Sequence, residues 1–343
     1  MKRILITGGA GFIAHHTIKY LLENTDWEIV SLDRLDYSGN LNRIHDVMKD
    51  FSENIRQRVK IVYHDLRAEI NQMISSDLGE FDYIIHMAAS SHVDRSIDDP
   101  MCFVLDNVVA TCNILNFARY QKKLERLIYF STDEVFGPAP NGVNYKERDR
   151  YNSTNPYSAT KAGGEELAVA FENSYKMPIY ITHTMNVFGE RQHPEKFIPM
   201  TIKRVKDNES VTIHSDASKT IPGSRHYIHA TDVAEGCLFL LNNQKKIEKL
   251  NKDYGGAKCP KFNLVGPVEW NNLELAQKIA SVQNKELLYD MVDFHSSRPG
   301  HDLRYALDGG LMKDLGWTPT ISIEERIKQV VEWTLRNDRW LKY

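Results

Sequence analysis

Two short stretches carry side chains suited to acid–base chemistry. In Asn155-Pro156-Tyr157-Ser158-Ala159-Thr160-Lys161 a phenol and an ammonium stand at i and i+4, so on a helix they share one face. An ammonium beside a phenol favours the phenolate, and the pair predicts a tyrosine that takes up protons near neutrality. In Ser131-Thr132-Asp133-Glu134-Val135-Phe136-Gly137 a hydroxyl precedes two adjacent carboxylates. Two acids whose surroundings push their pKa values apart can act as acid and base in one reaction, which is what elimination of water requires. Taken singly, Tyr-x-x-x-Lys is an ordinary amphipathic pair and Ser-Thr-Asp an ordinary polar cap. Each gains meaning from the other.

A third stretch, Thr7-Gly8-Gly9-Ala10-Gly11-Phe12-Ile13-Ala14, joins an apolar run to an amphipathic segment. Glycines at such a turn allow close approach of a pyrophosphate, and the free N–H groups and dipole at the start of a helix favour negative charge. Asp33 ends the next apolar run about 20 residues later, where a carboxylate accepts hydrogen bonds from a ribose and repels a 2′-phosphate. NAD is therefore favoured over NADP, although the neighbouring Arg34 offers a phosphate an alternative partner.

The elements that must position these groups are visible as alternation. Apolar runs at Ile4 to Thr7, Glu28 to Asp33, Val59 to His64, Tyr83 to Met87, Leu127 to Phe130 and Ile179 to Thr184 predict strands. Helical periodicity fills the gaps, as in Phe12 to Glu23, Met101 to Tyr120 and Pro156 to Tyr175. Strand and helix in turn imply an α/β protein with a Rossmann-like, doubly wound parallel sheet, because parallel strands need crossover connections. Beyond Gly189 the beat breaks up. Residues 1–189 are expected to bind the dinucleotide, and 190–343 to form mainly a smaller C-terminal substrate-binding cap domain, with helices near Lys196 to Lys206, Thr231 to Leu241 and Leu273 to Val282. Segments near 226–243 and 262–265 are expected to return to the first unit.

Composition removes other classes of function. A net charge of −3 and a pI near 6.5 give no basic footprint for nucleic acid. Cys102, Cys112, Cys237 and Cys259 form no C-x-x-C pair and no histidine lies at zinc-site spacing from them, so a reduced cytoplasmic protein without a metal is expected. The apolar run Ile4-Leu5-Ile6 is cut short by Gly8 and reads as a buried strand rather than a signal or membrane segment.

Together with His86-Met87-Ala88-Ala89-Ser90-Ser91-His92-Val93-Asp94-Arg95-Ser96, Pro194-Glu195-Lys196-Phe197-Ile198-Pro199 and Arg298-Pro299-Gly300-His301-Asp302, these motifs make the chain resemble the dTDP-glucose 4,6-dehydratase family and its UDP-sugar relatives, within the extended short-chain dehydrogenase/reductases. The resemblance runs nearly the whole length, and Thr132-Asp133-Glu134 is its dehydratase mark. It implies a hydro-lyase of deoxysugar biosynthesis in which Tyr157, helped by Thr132 and Lys161, deprotonates the sugar 4-hydroxyl. Glu134 then removes the C5 proton, Asp133 protonates the departing 6-hydroxyl, and NAD stores the hydride in between. It further implies that Gly8, Gly11, Phe12, Ile13, Asp33, Tyr157 and Lys161 hold NAD, with Asp65 and Leu66 by the adenine and Ala88 and Asn107 along the cofactor groove. Ser91, His92, Asn186, Glu195, Lys196, His214, Arg225, Asn263, Arg298 and His301 would take the nucleotide sugar, and the helices Met101 to Tyr120 and Pro156 to Tyr175 a second copy of the chain.

The pattern departs from the family in several places. Ser90 stands for a usual glutamate and Ala14 for a usual glycine. Met185 and Val187 flank Asn186 where smaller or polar residues are usual, Glu190-Arg191 replaces a Pro-aromatic pair, and His214 a tyrosine against the nucleobase. Ser215 to Ser224 also runs longer than the usual loop. These differences gather where substrate is chosen, so dTDP- and UDP-glucose both stay open, as do a GlcNAc- or CDP-linked sugar. A 4-epimerase would share the glycine turn, Tyr157 and Lys161 but needs no Asp133-Glu134. A 5,6-dehydratase and a non-catalytic NAD-bound scaffold are also compatible with these motifs.

Overall fold

The computed structural model describes residues 1–253, 259–293 and 304–342. Seven strands, β1 (Arg3–Thr7), β2 (Glu28–Asp33), β3 (Val59–Tyr63), β4 (Tyr83–His86), β5 (Arg126–Thr132), β6 (Ile179–Thr184) and, much later, Lys261–Leu264, form one sheet. Its order places the late strand at one edge beside β6, then β5, β4, β1, β2 and β3, with every neighbouring pair parallel. The central strands β4 and β6 are buried along their whole length, as a sheet covered on both faces requires, whereas the edge strand β3 exposes Lys60 and Ile61. β1 pairs with β2 on one side and β4 on the other, so connections leave it in opposite directions and open a crevice at the carboxyl ends. The doubly wound sheet expected from sequence is thus the observed one.

Helix α1 (Phe12–Asn24) packs on one face of the sheet, and the face is filled by Ile4, Ile6, Ile18, Ile29 and Ile85. On the other face lie α2 (Pro100–Ala118) and α3 (Pro156–Tyr175), closing over Leu5, Ile84, Ile114, Leu127 and Ile181. A capping box starts α3: the Asn155 side chain accepts from Ser158 N–H at 2.8 Å, and Pro156 occupies the first turn, where no N–H is needed. That cap sets the helix register and hence where Tyr157 and Lys161 point. α2 is not a uniform α-helix, since Leu105–Val109 is a π segment. Its apolar periodicity continues through the bulge, so only the fold reveals it; such bulges often mark functional sites.

β5 runs two residues past its expected end because Ser131 and Thr132 keep pairing with His183 and Thr184 of β6. This brings Thr132 to the lip of the crevice. The remaining chain forms the short strands β7 (Val187–Phe188), β8 (Val211–Ser215), β9 (Ser224–His226) and β10 (Ile228–His229), the helices α4 (Phe197–Asp207) and α5 (Ala230–Asn242), the late sheet strand as β11, then β12 (Glu269–Asn271), α6 (Asn272–Val282), β13 (Tyr289–Asp293) and α7 (Ile323–Arg336). A second apolar cluster of Ile198, Ile202, Leu275, Ile279, Ile327 and Val331 holds α4, α6 and α7 together. α5 instead packs against α1 and the main sheet through Val233, Leu238 and Leu240.

Candidate active site

One cavity of about 540 Å³ runs along the carboxyl edge of the sheet. At its first end is the glycine turn. Gly8 has φ of +69°, and a side chain there would bring a Cβ within 2.9 Å of the Ala88 backbone. Gly11 N–H bonds Gly8 C=O at 2.8 Å, and Gly11 caps α1 without any side-chain hydrogen bond, leaving the first-turn N–H groups facing the cavity with Phe12 and Ile13. The Asp33 carboxylate accepts from Ala10 N–H at 3.0 Å and Leu35 N–H at 2.8 Å, which fixes it at the cavity wall. Burial raises its pKa, an effect these two hydrogen bonds partly oppose. This cradle fits a dinucleotide: backbone donors for a pyrophosphate and an oriented acid for a ribose.

Arg34 is committed elsewhere. Its guanidinium takes both oxygens of Asp106, at 2.5 and 2.7 Å, and one of Asp36, at 2.7 Å. A 2′-phosphate would have to displace these carboxylates, so the residue that left NADP open in the sequence reinforces NAD. Asp65 and Leu66 reach the same wall, Asp65 paired with Arg67 at 2.5 Å. Asn107 is a correction. It belongs to the π segment, is 1% exposed and does not line the groove; its side-chain oxygen accepts from Ser90 N–H at 2.9 Å and its amide donates to Ser90 C=O and Thr160 Oγ1, both at 3.0 Å. Asn107 therefore holds the loop after β4 against α3 from behind.

Farther along the cavity Thr132, Asp133, Glu134, Tyr157 and Lys161 converge. Thr132 Oγ1 donates to Asp133 Oδ1 at 2.9 Å and accepts from Glu134 N–H at 3.4 Å, so the hydroxyl organises both acids. Asn155, the cap of α3, also donates to Glu134 Oε2 at 3.1 Å and ties the acid pair to the tyrosine helix. Burial raises both carboxyls, Asp133 to about 6 and Glu134 to about 7, the latter with help from the negative charge of Asp133. The pair can hold a proton near neutrality, as two neighbouring buried acids should.

The phenol and ammonium differ from the sequence expectation. Lys161 Nζ donates to Phe130 C=O at 2.6 Å, and burial lowers its pKa to about 7. Burial also pushes the Tyr157 hydroxyl far up, with the charge of Glu134 adding to the shift. Sharing a helix face does not by itself produce a phenolate, because desolvation acts on both groups against their charged forms.

A sequence profile of the family described as GDP-mannose 4,6 dehydratase matches residues 5–330. The chain belongs to this nucleotide-sugar 4,6-dehydratase family, within the extended short-chain dehydrogenase/reductases. The low-salt glycan biosynthesis protein Agl12 of Haloferax volcanii is 35% identical over 98% of this chain and 99% of its own. A mouse dTDP-D-glucose 4,6-dehydratase is 34% identical, over 98% of this chain and 89% of its own. The crystal structure of DesIV, a dTDP-glucose 4,6-dehydratase from Streptomyces venezuelae solved with NAD bound, superposes with a TM-score of 0.83 at 30% identity, covering 99% of both chains. NAD is the cofactor of this dehydratase family member, in agreement with its glycine turn, Asp33 and the occupied Arg34.

The opposite wall of the dehydratase cavity carries most of the remaining residues expected from sequence. Ser91, His92, Asn186, Glu195, Lys196, His214 and Arg225 all line it. Glu195 lies 3.7 Å from His92 and 3.5 Å from Arg95, joining the loop after β4 to the approach of α4. Lys196 and Arg225 both lower the Glu134 pKa by their charge, against the larger upward effects of burial and of Asp133. Asn186 adopts a positive φ of +34° between β6 and β7. Asn263 is a second correction: on β11 and fully buried, it donates to the Glu147 carboxylate and to the Tyr145 and Asp308 carbonyls, pairs through Oδ1 with His183 Nδ1 and does not line the cavity. Arg298 and His301 lie outside the described residues. The long segment after His214 folds on itself, with Asp216 accepting from Thr220 and Ile221 N–H at 2.9 and 2.8 Å.

Sequence reasoning missed Phe188, Tyr227, Asn272 and Tyr305, which also line this wall. Tyr227 donates to Asn272 at 2.9 Å, and the Arg225 guanidinium lies 4.9 Å from the Tyr305 ring centre. No local motif marks them, since each comes from a different segment of the later chain. Asn155 stood in the tyrosine stretch but was read neither as a cap nor as a partner of Glu134.

Proposed function

We propose that this NAD-dependent nucleotide-sugar 4,6-dehydratase acts on glucose linked to a pyrimidine nucleotide, dTDP- or UDP-glucose, and yields the 4-keto-6-deoxy sugar. The observation that carries the reading is the shared cavity: Asp133 and Glu134 open from the end of β5 into the space faced by Tyr157 and Lys161. Tyr157 takes the proton of the 4-hydroxyl, with the Thr132 hydroxyl beside it lowering the cost of the negative oxygen. When bound, NAD supplies a reversible hydride store between C4 and C6 and, oxidised, a positive charge that favours the phenolate. The resulting ketone acidifies C5. From the tautomer in which the shared proton rests on Asp133, Glu134, the more basic of the two, removes the C5 proton and Asp133, the more acidic, delivers one to the departing 6-hydroxyl, so the acid pair passes one water out of the sugar without net change in charge. Arg225 and Lys196 suit a diphosphate, and the half-buried His214 can stack on a pyrimidine and donate to it.

A second copy of the chain fits the outer face of α2 and α3, where Met101 is 62% and Leu105 37% exposed. Incubation with dTDP-, UDP-, CDP- and GDP-glucose and UDP-GlcNAc, read by product mass and by deuterium incorporation from solvent at C5, tests the reaction. Loss of one water and a 4-keto product with dTDP- or UDP-glucose is expected. Inversion at C4 without loss of mass would assign an epimerase, and loss of water without a 4-keto product a 5,6-dehydratase.

A further inference from the structure

Beneath the cavity lies a half-buried acid that the dehydration does not use. Glu190 follows β7, and its Oε2 accepts from His229 Nε2 at 3.2 Å and stands 3.8 Å from His16 Nε2. His16 Nε2 in turn donates to the Glu190 backbone carbonyl at 3.0 Å. His229 caps α5 by accepting from Thr231 N–H through Nδ1 at 3.2 Å, which leaves the ring proton on Nε2, facing Glu190. Three segments far apart in sequence therefore meet at one residue: the cofactor helix α1 at its carbonyl and the start of α5 at its carboxylate, with the turn after β7 carrying both.

Ring contacts extend this seam to the cavity on both sides. Phe12 meets His16 edge-on at 5.7 Å, His16 meets His229 at 5.5 Å, and His229 meets Phe188 at 5.4 Å. Phe12 belongs to the cofactor turn and Phe188 to the sugar-nucleotide wall, and both line the cavity. Burial opposes ionisation of Glu190, yet the His229 hydrogen bond and the histidine rings hold its carboxyl well below the usual range, while burial drops the His16 imidazole to about 3. The seam thus runs through one residue: His229 Nε2–H holds the Glu190 carboxylate, and this fixes the turn that presents the Glu190 carbonyl to His16 on α1. Parting it leaves a half-buried carboxylate without its donor, which is costly.

We propose that Glu190 is a positioning residue, a clasp that fixes the cofactor turn against the sugar-nucleotide wall and so slows the escape of NAD. An enzyme that regenerates its NAD in every turnover gains from never exchanging it, and a clasp behind the glycine turn serves that end without touching the reacting atoms. The test follows NAD alone, so its outcome does not depend on which sugar nucleotide is the substrate. Purified holoenzyme is diluted into NAD-free buffer and the bound NAD is quantified over time for the wild type and for Glu190→Ala, Glu190→Gln and His229→Asn, alongside melting temperatures.

Asparagine at 229 still accepts from Thr231 N–H, being a favoured N-cap, but is too short to reach Glu190. His229→Asn leaves the Glu190 carboxylate without its donor, so it is expected to melt below the wild type and, while folded, to lose NAD at least about tenfold faster, the effect of one hydrogen bond to a charged group. Glu190→Ala should lose NAD as fast or faster, and Glu190→Gln, whose amide oxygen still accepts from His229, should recover most of the retention. The rates are compared at a temperature where both proteins are fully folded. A folded His229→Asn that holds NAD as long as the wild type overturns the proposal, as does a Glu190→Gln no better than Glu190→Ala.

Discussion

The two walls of the cavity are built differently. The cofactor and catalytic wall uses backbone and short, buried side chains: a glycine turn against Ala88, a carboxylate held by two N–H groups, and a threonine between two acids. The facing wall uses long, half-exposed side chains from loops, Glu195 against His92 and Arg95, Arg225 against Tyr305, and His214 at the end of a short strand pair. Short buried groups leave little freedom and fix a reaction; long exposed ones can be exchanged at small cost in stability and set a preference. In the function proposed above, the chemistry is thus anchored in the sheet and the choice of substrate in the periphery.

Substitutions on the first wall should cost the most. Tyr157→Phe removes the group proposed to accept the 4-hydroxyl proton and should lower kcat by about 10²- to 10⁴-fold, with no reduced cofactor forming when substrate is mixed with enzyme in a stopped-flow absorbance experiment. Normal cofactor reduction in that variant would assign the proton to another group. Glu134→Gln should spare C4 oxidation and slow elimination by about 10²-fold or more, so reduced cofactor builds up on the enzyme. Dehydration at the wild-type rate would place the base elsewhere.

The same Glu134→Gln variant tests how the buried acid affects folding. Its carboxyl titrates near 7 in the fold against 4.5 for an ordinary glutamate, so between these values the native state binds more protons than the unfolded chain and stability falls as pH rises. The variant should therefore be more stable than the wild type by about 1 to 3 kcal/mol at pH 8 in urea unfolding, with little difference below pH 4.5. A variant that is not stabilised at pH 8 would contradict the raised pKa. On the facing wall the effect should be smallest: His214→Tyr should shift the ratio of kcat/KM for dTDP- and UDP-glucose by about tenfold or less, mostly through KM. A fall in kcat that left the ratio unchanged would place His214 on the catalytic side of the comparison.

What the sequence revealed follows the same division. The sheet, the glycine turn, Asp33 and the Thr132-Asp133-Glu134 and Tyr157-Lys161 pairs were legible because each depends on neighbours within a few residues, through a strand, a turn or one helix face. Asn107 and Asn263 were misplaced because their roles depend on distant partners, Thr160 in one case and Tyr145 and Asp308 in the other. The tuning of Tyr157 was misjudged for a related reason, since burial is a property of the whole fold and outweighed the local charge. Phe188, Tyr227 and Tyr305 had no signature at all, and the Glu190 seam joins positions 174 residues apart.

The double grip of Asp106 on Arg34 bears on how the protein could change coenzyme. Removing the Asp33 carboxylate alone would not recruit a 2′-phosphate, because the Arg34 guanidinium is already spent on Asp106 and Asp36, and that of Arg43 on the Ala10, Ser38 and Arg191 carbonyls. Freeing it means replacing Asp106, which also accepts from Ser90 Oγ at 2.6 Å and lies beside the Asn107 that steadies the loop after β4. A change toward NADP therefore requires that loop to be loosened before any phosphate contact is gained.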